Sequence, residues 1–268
     1  MADLKALLLS VCMAGASGCL SSEIVVTVRP DGSGTIERTA QLRPSALAAL
    51  QQLLPPDPGA APLKPPPAFM QPPGRAATGW SNGLRLGSAR SLNSSTTLGW
   101  SVIYEFDDLT TLDVELLPTD LGLDVFNGLA VDTRTSTRLK FAMEPLAGGL
   151  ARITVHFPKF ALDPSTEPPA GWASGPAGDM AALRSVLKGS RLAVAIQTEQ
   201  PLLRTNSPHV EGNRVTLLDV DVEQALFSRQ IEMLATTPAS FDDLLWAFGD
   251  LPGVTLARDH DVTLEFQD

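Results

Sequence analysis

Apolar and polar residues alternate along several stretches of this chain. From 23 to 29 it reads EIVVTVR, which sets Ile24, Val26 and Val28 on one side of a strand, because successive strand side chains point to opposite faces. After Pro30-Asp31-Gly32-Ser33-Gly34, residues 35–42 (TIERTAQL) can offer Ile36, Ala40 and Leu42 to the same face. The pair predicts a β-hairpin whose turn takes its backbone freedom from Asp31-Gly32. Pro44 then opens a short helical stripe of Leu47, Leu50, Leu53 and Leu54.

The clearest strand signal is LGWSVIYEF at 98–106, where Leu98, Trp100, Val102, Tyr104 and Phe106 alternate without a break. A turn or short helix is expected over Asp107–Leu112, followed by a strand within Thr111–Leu117. Leu139, Phe141 and Met143 alternate again, as do Ile153, Val155 and Phe157 beyond Gly148-Gly149, predicting a second hairpin. Met180, Leu183, Val186 and Leu187 form a helical face, with Asp179 near its start and Lys188 and Arg191 near its end, as the helix dipole prefers. Strands follow at 191–199, with Leu192, Val194 and Ile196 inward, and at 213–220. Asp221 and Gln224 can form a reciprocal cap at the start of a helix running to about Ala235. Thr237-Pro238 can open another, carrying Phe241, Leu244, Leu245 and Phe248, and HDVTLEFQ closes the pattern with Val262, Leu264 and Phe266.

Hairpins first and helices late predict an α+β fold: largely antiparallel β-hairpins forming a sheet, with short amphipathic helices and a proline-rich excursion. Nine prolines between 55 and 73 make that excursion, since proline removes amide donors and favours extended backbone. Residues 163–178 are a second Pro/Gly/Ser-rich loop.

The N-terminus has a different character. Lys5 precedes an apolar run from Ala6 to Ala16, which ends in Ser17 and Gly18 before Cys19. This is the layout of an export signal, and it is far shorter than the roughly 20 apolar residues of a spanning helix. Ala16-Ser17-Gly18-Cys19 resembles the lipobox of bacterial lipoproteins, with Ala16 where Leu is most common. The resemblance implies acylation of the Cys19 thiol, with palmitate-type chains, and cleavage before it. An ordinary signal peptide cut after Ala16 and an uncleaved terminal helix remain alternatives. Ser21, two places after the cysteine, favours by analogy the periplasmic face of the outer membrane over the inner membrane. Only Leu20, Ser21 and Ser22 are expected to separate the anchor from the first strand residues, a reach of roughly 10 Å. Cys12 and Cys19 are the two cysteines, so the exported body would hold no disulfide and rely on its core.

These signals divide the chain into a signal peptide over 1–18, an N-terminal hairpin and short helix over 19–54, and a proline-rich loop or linker over 55–79. Residues 80–268 form the remainder of one extracytoplasmic α+β domain that packs with 19–54. The run Val28-Arg29-Pro30-Asp31-Gly32-Ser33-Gly34 behind the lipobox-like cysteine resembles the opening of a family of bacterial envelope lipoproteins without an assigned activity. So does the later Gly212-Asn213-Arg214-Val215-Thr216 strand that follows Arg204-Thr205-Asn206-Ser207. Mycobacterial LppM-type lipoproteins are distantly similar in outline. The resemblance implies an envelope lipoprotein with a lipid-facing role and carries over no catalytic residue.

Chemistry-bearing motifs are sparse. The formal charge of −10 argues against a nucleic-acid backbone or an anionic lipid face as a general partner. His156, His209 and His260 stand outside any zinc-binding spacing. Glu105, Asp107 and Asp108 cluster at a strand end, and Asp259 and Asp261 flank His260, without the spacing of a calcium loop. Asp242 and Asp243 suit the first turns of a helix. Ser81, Ser88 and Ser91 lack a nucleophile elbow. Gly32 and Gly34 lack the Lys-Ser/Thr pair of a phosphate loop. No cofactor or metal is expected.

Arg204, Asn206 and Ser207 are the candidate recognition loop, combining a positive charge with hydrogen-bonding groups. Trp80 and Trp172, unlike Trp100 and Trp246, fall in loop-rich stretches where they could meet a membrane interface or ligand. The leading expectation is a non-enzymatic, membrane-anchored envelope lipoprotein that binds or organises a lipid or protein component. The alternatives are an envelope hydrolase with an unrecognised carboxylate site and a passive structural lipoprotein.

Overall fold

The computed structural model describes residues 20–45, 72, 83–115, 138–157, 184, 187–228, 249–257 and 261–267. The expected helices over 44–54 and 238–249, the proline-rich stretch and the 163–178 loop lie wholly or mostly outside these residues. Most of the helix over 179–188 does too.

The first hairpin forms as its alternation requires. β1 (Leu20–Val28) pairs antiparallel with β2 (Gly34–Leu42), from Leu20 opposite Leu42 to Val28 opposite Gly34. Alternate residues of both strands are buried. Between them Gly32 takes φ 81°, a region that costs an L side chain about 1–2 kcal/mol. Asp31 Oδ1 accepts from Ser33 N at 3.0 Å and Ser33 Oγ at 2.7 Å, which closes the turn.

β3 (Arg85–Ser91) and β4 (Leu98–Phe106) extend the sheet beyond β2. β8 (Arg191–Thr198) joins the other side of β1 and runs parallel to it. β11 (Arg214–Asp221) pairs antiparallel with β8, and the short β10 (Val210–Glu211) and β12 (Val254–Leu256) share its outer side. The order β10-β11-β8-β1-β2-β4-β3, with β12 off this path, makes an eight-stranded sheet. A second sheet has the order β5-β6-β7-β13-β9, from β5 (Asp113–Glu115), β6 (Arg138–Leu146), β7 (Leu150–His156), β13 (Asp261–Gln267) and β9 (Leu202–Thr205). The α+β class and its hairpins therefore form as predicted, with the strands divided between two sheets.

The smaller sheet adjoins the β1–β2 turn. Leu109, in a 3-10 helix over Leu109–Thr111, donates its amide to Gly32 O at 2.9 Å, and Glu199 N donates to Val28 O at 3.0 Å. One hydrophobic core joins both sheets, including Ile24, Ile36, Trp100, Phe106, Leu109, Ile153, Leu264 and Phe266. Each large aromatic removes on the order of 200 Å² from water, about 5 kcal/mol gross at roughly 25 cal/mol per Å². The outward face of the larger sheet is polar, with Arg214–Glu23 at 2.7 Å and Arg191–Asp219 at 2.5 Å.

One expectation is corrected, and two features appear that the pattern did not predict. Arg191 is the first residue of β8 rather than part of a helix end, because backbone pairing with Ser21 and Asp221 captures it. β3 lacks an apolar alternation and forms through its pairing with β4, all seven of its residues being exposed. Arg38, between Ile36 and Ala40, is buried at 1% exposure.

The Asp221 cap forms at the start of α1 (Val222–Leu226), but Phe227 ends this helix well before Ala235. Asp221 Oδ1 accepts from Gln224 N at 3.0 Å, while Gln224 Nε2 donates to Asp221 Oδ2 at 2.9 Å. The Asp221 amide instead donates to Gly253 O at 2.7 Å, so the expected reciprocal box is replaced by a tie to the turn before β12. Asp221→Ala is expected to cost about 1 kcal/mol, the usual value of an N-cap, as a lowered urea midpoint with an unchanged slope.

Candidate functional site

The N-terminal end of β1 is where the proposed anchor would meet the folded body. Cys19 lies outside the described residues, but Leu20, covalently next to it, is already strand. Leu20 is opposite Leu42, 8% exposed, and its amide donates to Ser190 Oγ at 3.2 Å. The expected three-residue separation is thereby corrected: Leu20, Ser21 and Ser22 all belong to β1. Ser190 is fully buried, and its carbonyl accepts from Val222 N at 2.9 Å. One serine thus ties the start of the central strand to the start of α1. The sequence shows only Gly189-Ser190 before a strand, a turn signal that does not disclose this partnership.

The candidate recognition residues occupy one corner of the smaller sheet. Arg204 and Thr205 lie on β9, and Asn206 and Ser207 follow it. Asn206 Nδ2 donates to Asp261 O at 2.9 Å, and its Oδ1 accepts from Thr263 N at 2.8 Å. The side-chain amide therefore continues the β13 ladder where pairing with β9 stops. Ser207 is buried, with its Oγ accepting from His209 N at 3.2 Å. The exposed Arg204 stands opposite Glu265, which Arg152 holds at 2.7 Å. Asn206→Ala is expected to lower stability by about 1–2 kcal/mol by leaving two strand groups without this partner. Hydrogen exchange should then accelerate first at the amide of Thr263.

The carboxylates at the end of β4 are engaged locally. Arg85 binds Asp107 through both carboxylate oxygens, with Nη2 at 2.7 Å from Oδ1, and Glu105 is 4.0 Å from the same guanidinium. Asp108 caps the 3-10 helix, its Oδ1 accepting from Thr110 N at 2.9 Å and Thr110 Oγ1 at 2.8 Å. The Arg85 hydrogen bond and charge hold Asp107 below the usual carboxylate range, and bonds from Ser33 do the same for Asp31. A lowered folded-state value contributes stability at neutral pH that is lost as pH falls through it. A general acid working near neutrality needs the opposite shift.

His156 Nδ1 lies 2.7 Å from Asp261 Oδ1 on neighbouring strands, both side chains being about half exposed. His209 is half-buried in the turn before β10, where its carbonyl accepts from Thr216 N at 2.9 Å. Ser88 and Ser91 lie on the exposed β3. Gly32 lies within the first hairpin turn and Gly34 opens β2. Trp100 is 1% exposed in the core, with the guanidinium carbon of Arg38 5.3 Å from its ring centroid. That buried cation over an aromatic face is a feature the sequence reading missed. His260, Asp259, Asp242, Asp243, Ser81, Trp80, Trp172 and Trp246 lie outside the described residues.

Among the described residues no group of three or more His, Cys, Asp or Glu side chains is placed to hold a metal ion. No helix among them is long and apolar enough to cross a membrane. The described carboxylates that come together do so around arginines, Glu105 and Asp107 on Arg85 and Glu144 and Glu265 on Arg152.

No family model matches this chain, and no curated protein does. Among solved structures it has a distant match to the folded domain of Mycobacterium tuberculosis LppM, determined by NMR. That match has 12% identity and a TM-score of 0.33, and it covers 94% of this chain and 91% of the other.

Proposed function

We propose that this protein is a membrane-anchored envelope lipoprotein whose body binds or organises a lipid or protein component without catalysing a reaction. One observation carries the reading: a lipobox-like cysteine is followed at the very next residue by the central strand of the larger sheet. The body begins where cleavage before Cys19 would leave a new N-terminus. The apolar run ahead of it has the length of an export signal. More than one acyl chain on Cys19 gives stable attachment, where a single chain is marginal.

The address follows in two tiers. The anchor places the body at the cell envelope, and Ser21 favours the periplasmic face of the outer membrane. Residues 1–18 are then the removed signal, and 19–54 with 80–268 form one extracytoplasmic unit around the proline-rich 55–79. Arg204, with its exposed guanidinium beside the structurally engaged Asn206 and Ser207, is the first position to examine for partner recognition.

Mass spectrometry of the protein from its native membrane tests the reading directly. The expected product begins at a diacylglyceryl-modified Cys19. A water-soluble product beginning at Ser17 would overturn it. Extraction of the purified protein into organic solvent separates the two kinds of cargo, since a lipid ligand would be recovered stoichiometrically and a protein-binding body would release none.

A further inference from the structure

We propose that a phospholipid bilayer meets one defined end of the larger sheet, the end where β1, β4 and β8 start and β2 and β11 finish, so that the smaller sheet points away from the membrane. This rests on acylation of Cys19 and adds the orientation of the body to it. One peptide bond joins Cys19 to Leu20, so their Cα atoms can be no more than about 3.8 Å apart. Leu20 is not on a tether: it pairs with Leu42, and its amide is bonded to Ser190. From Ser21 onward β1 has β8 on its other side. An acylated residue joined to such a strand holds the sheet end against the headgroups, because the next residue, Leu20, already belongs to β1.

The opposite end of the same strand is remote. β1 spans nine residues, which puts Val28 about 26 Å from Leu20 at roughly 3.3 Å per residue. The smaller sheet lies at that remote end, where Gly32 O accepts from Leu109 N and Val28 O accepts from Glu199 N. The near end has the chemistry to face headgroups. Its 92–97 loop exposes Asn93, Ser94, Ser95 and Thr96, which are uncharged hydrogen-bonding side chains, and Lys188 is exposed just before β8. The neighbouring acids Asp219 and Glu223 are held by Arg191 at 2.5 Å and Arg184 at 2.9 Å, which limits repulsion of an anionic surface.

The full protein, acylated in a bacterial host and reconstituted in phosphatidylethanolamine–phosphatidylglycerol vesicles with headgroup-spin-labelled lipid, tests this placement. Ser95→Cys and Gln200→Cys introduce single labelling sites at exposed positions of the near and remote ends, because Cys12 leaves with the signal and acylated Cys19 has no thiol. A fluorophore at 95 is expected to be quenched by the headgroup label, and one at 200 to emit as in unlabelled vesicles. A Gly-Ser insertion of about ten residues between Cys19 and Leu20, with a root-mean-square reach of roughly 17 Å, should abolish most of the quenching at 95. Equal quenching at both sites in acylated protein, stronger quenching at 200, or quenching at 95 that survives the insertion overturns the orientation and leaves the anchor standing. Absence of the acyl mass on Cys19 overturns the anchor and the orientation together.

Discussion

Cys19→Ser is expected to abolish acyl labelling and release the protein from membranes, with uncut precursor accumulating. A serine hydroxyl does not take the thioether-linked diacylglyceryl group, so the new side chain removes the acceptor while changing one atom. Each buried methylene contributes about 0.8 kcal/mol, and a full acyl chain therefore contributes on the order of 10 kcal/mol of membrane affinity. No helix among the described residues is long and apolar enough to cross a bilayer in its place. The folded body should keep its urea midpoint, because the substituted position precedes the first strand residue, Leu20. Palmitate labelling and sedimentation with membranes that persist in this variant would sink the lipoprotein reading outright.

Gly34→Ala should have the largest effect on the fold. A Cβ at this position would lie 2.0 Å from Thr27 O and 2.6 Å from Phe106 Cζ. The aromatic ring could swing aside, but the Thr27 carbonyl belongs to β1 and can yield only by moving backbone in the central hairpin. Overpacking of this kind costs about 3 kcal/mol, the upper part of its usual range, against a total stability of roughly 5–15 kcal/mol for a domain. Denaturant titration should show a large fall in midpoint. Gly148→Ala is the matched control: its φ of +85° imposes backbone strain, yet an added Cβ meets nothing within 4 Å. Its expected loss is about 1 kcal/mol. Equal losses in the two variants would show that close packing of β1, β2 and β4 around Gly34 is not what requires the glycine.

The strands that could be read in advance are those in which one buried face repeats every second residue. LGWSVIYEF and the DVTLEFQ segment carry enough apolar side chains that a one-residue slip in register would turn Trp100, Tyr104, Val262 or Phe266 towards water. The Asp221 cap was readable for a similarly local reason, as its acceptor serves an amide only three residues away. The candidate recognition residues were legible only as residue types. Asn206 has the composition of a loop contact, and only its position beside β13 shows that its amide completes a ladder instead.

Amino-acid pattern alone determined the α+β class, the two hairpins and the capped turn into α1. These depend on side chains within a few positions of one another, where periodicity and turn chemistry suffice. Tertiary structure alone decided that β8 lies parallel to β1, that β3 forms at all and that Arg38 is buried over Trp100. It also decided that the strands separate into two sheets sharing one core. Those outcomes are set by partners from about ten to more than a hundred residues away, whose backbone hydrogen bonds and packing outweigh the weak preference of any single segment.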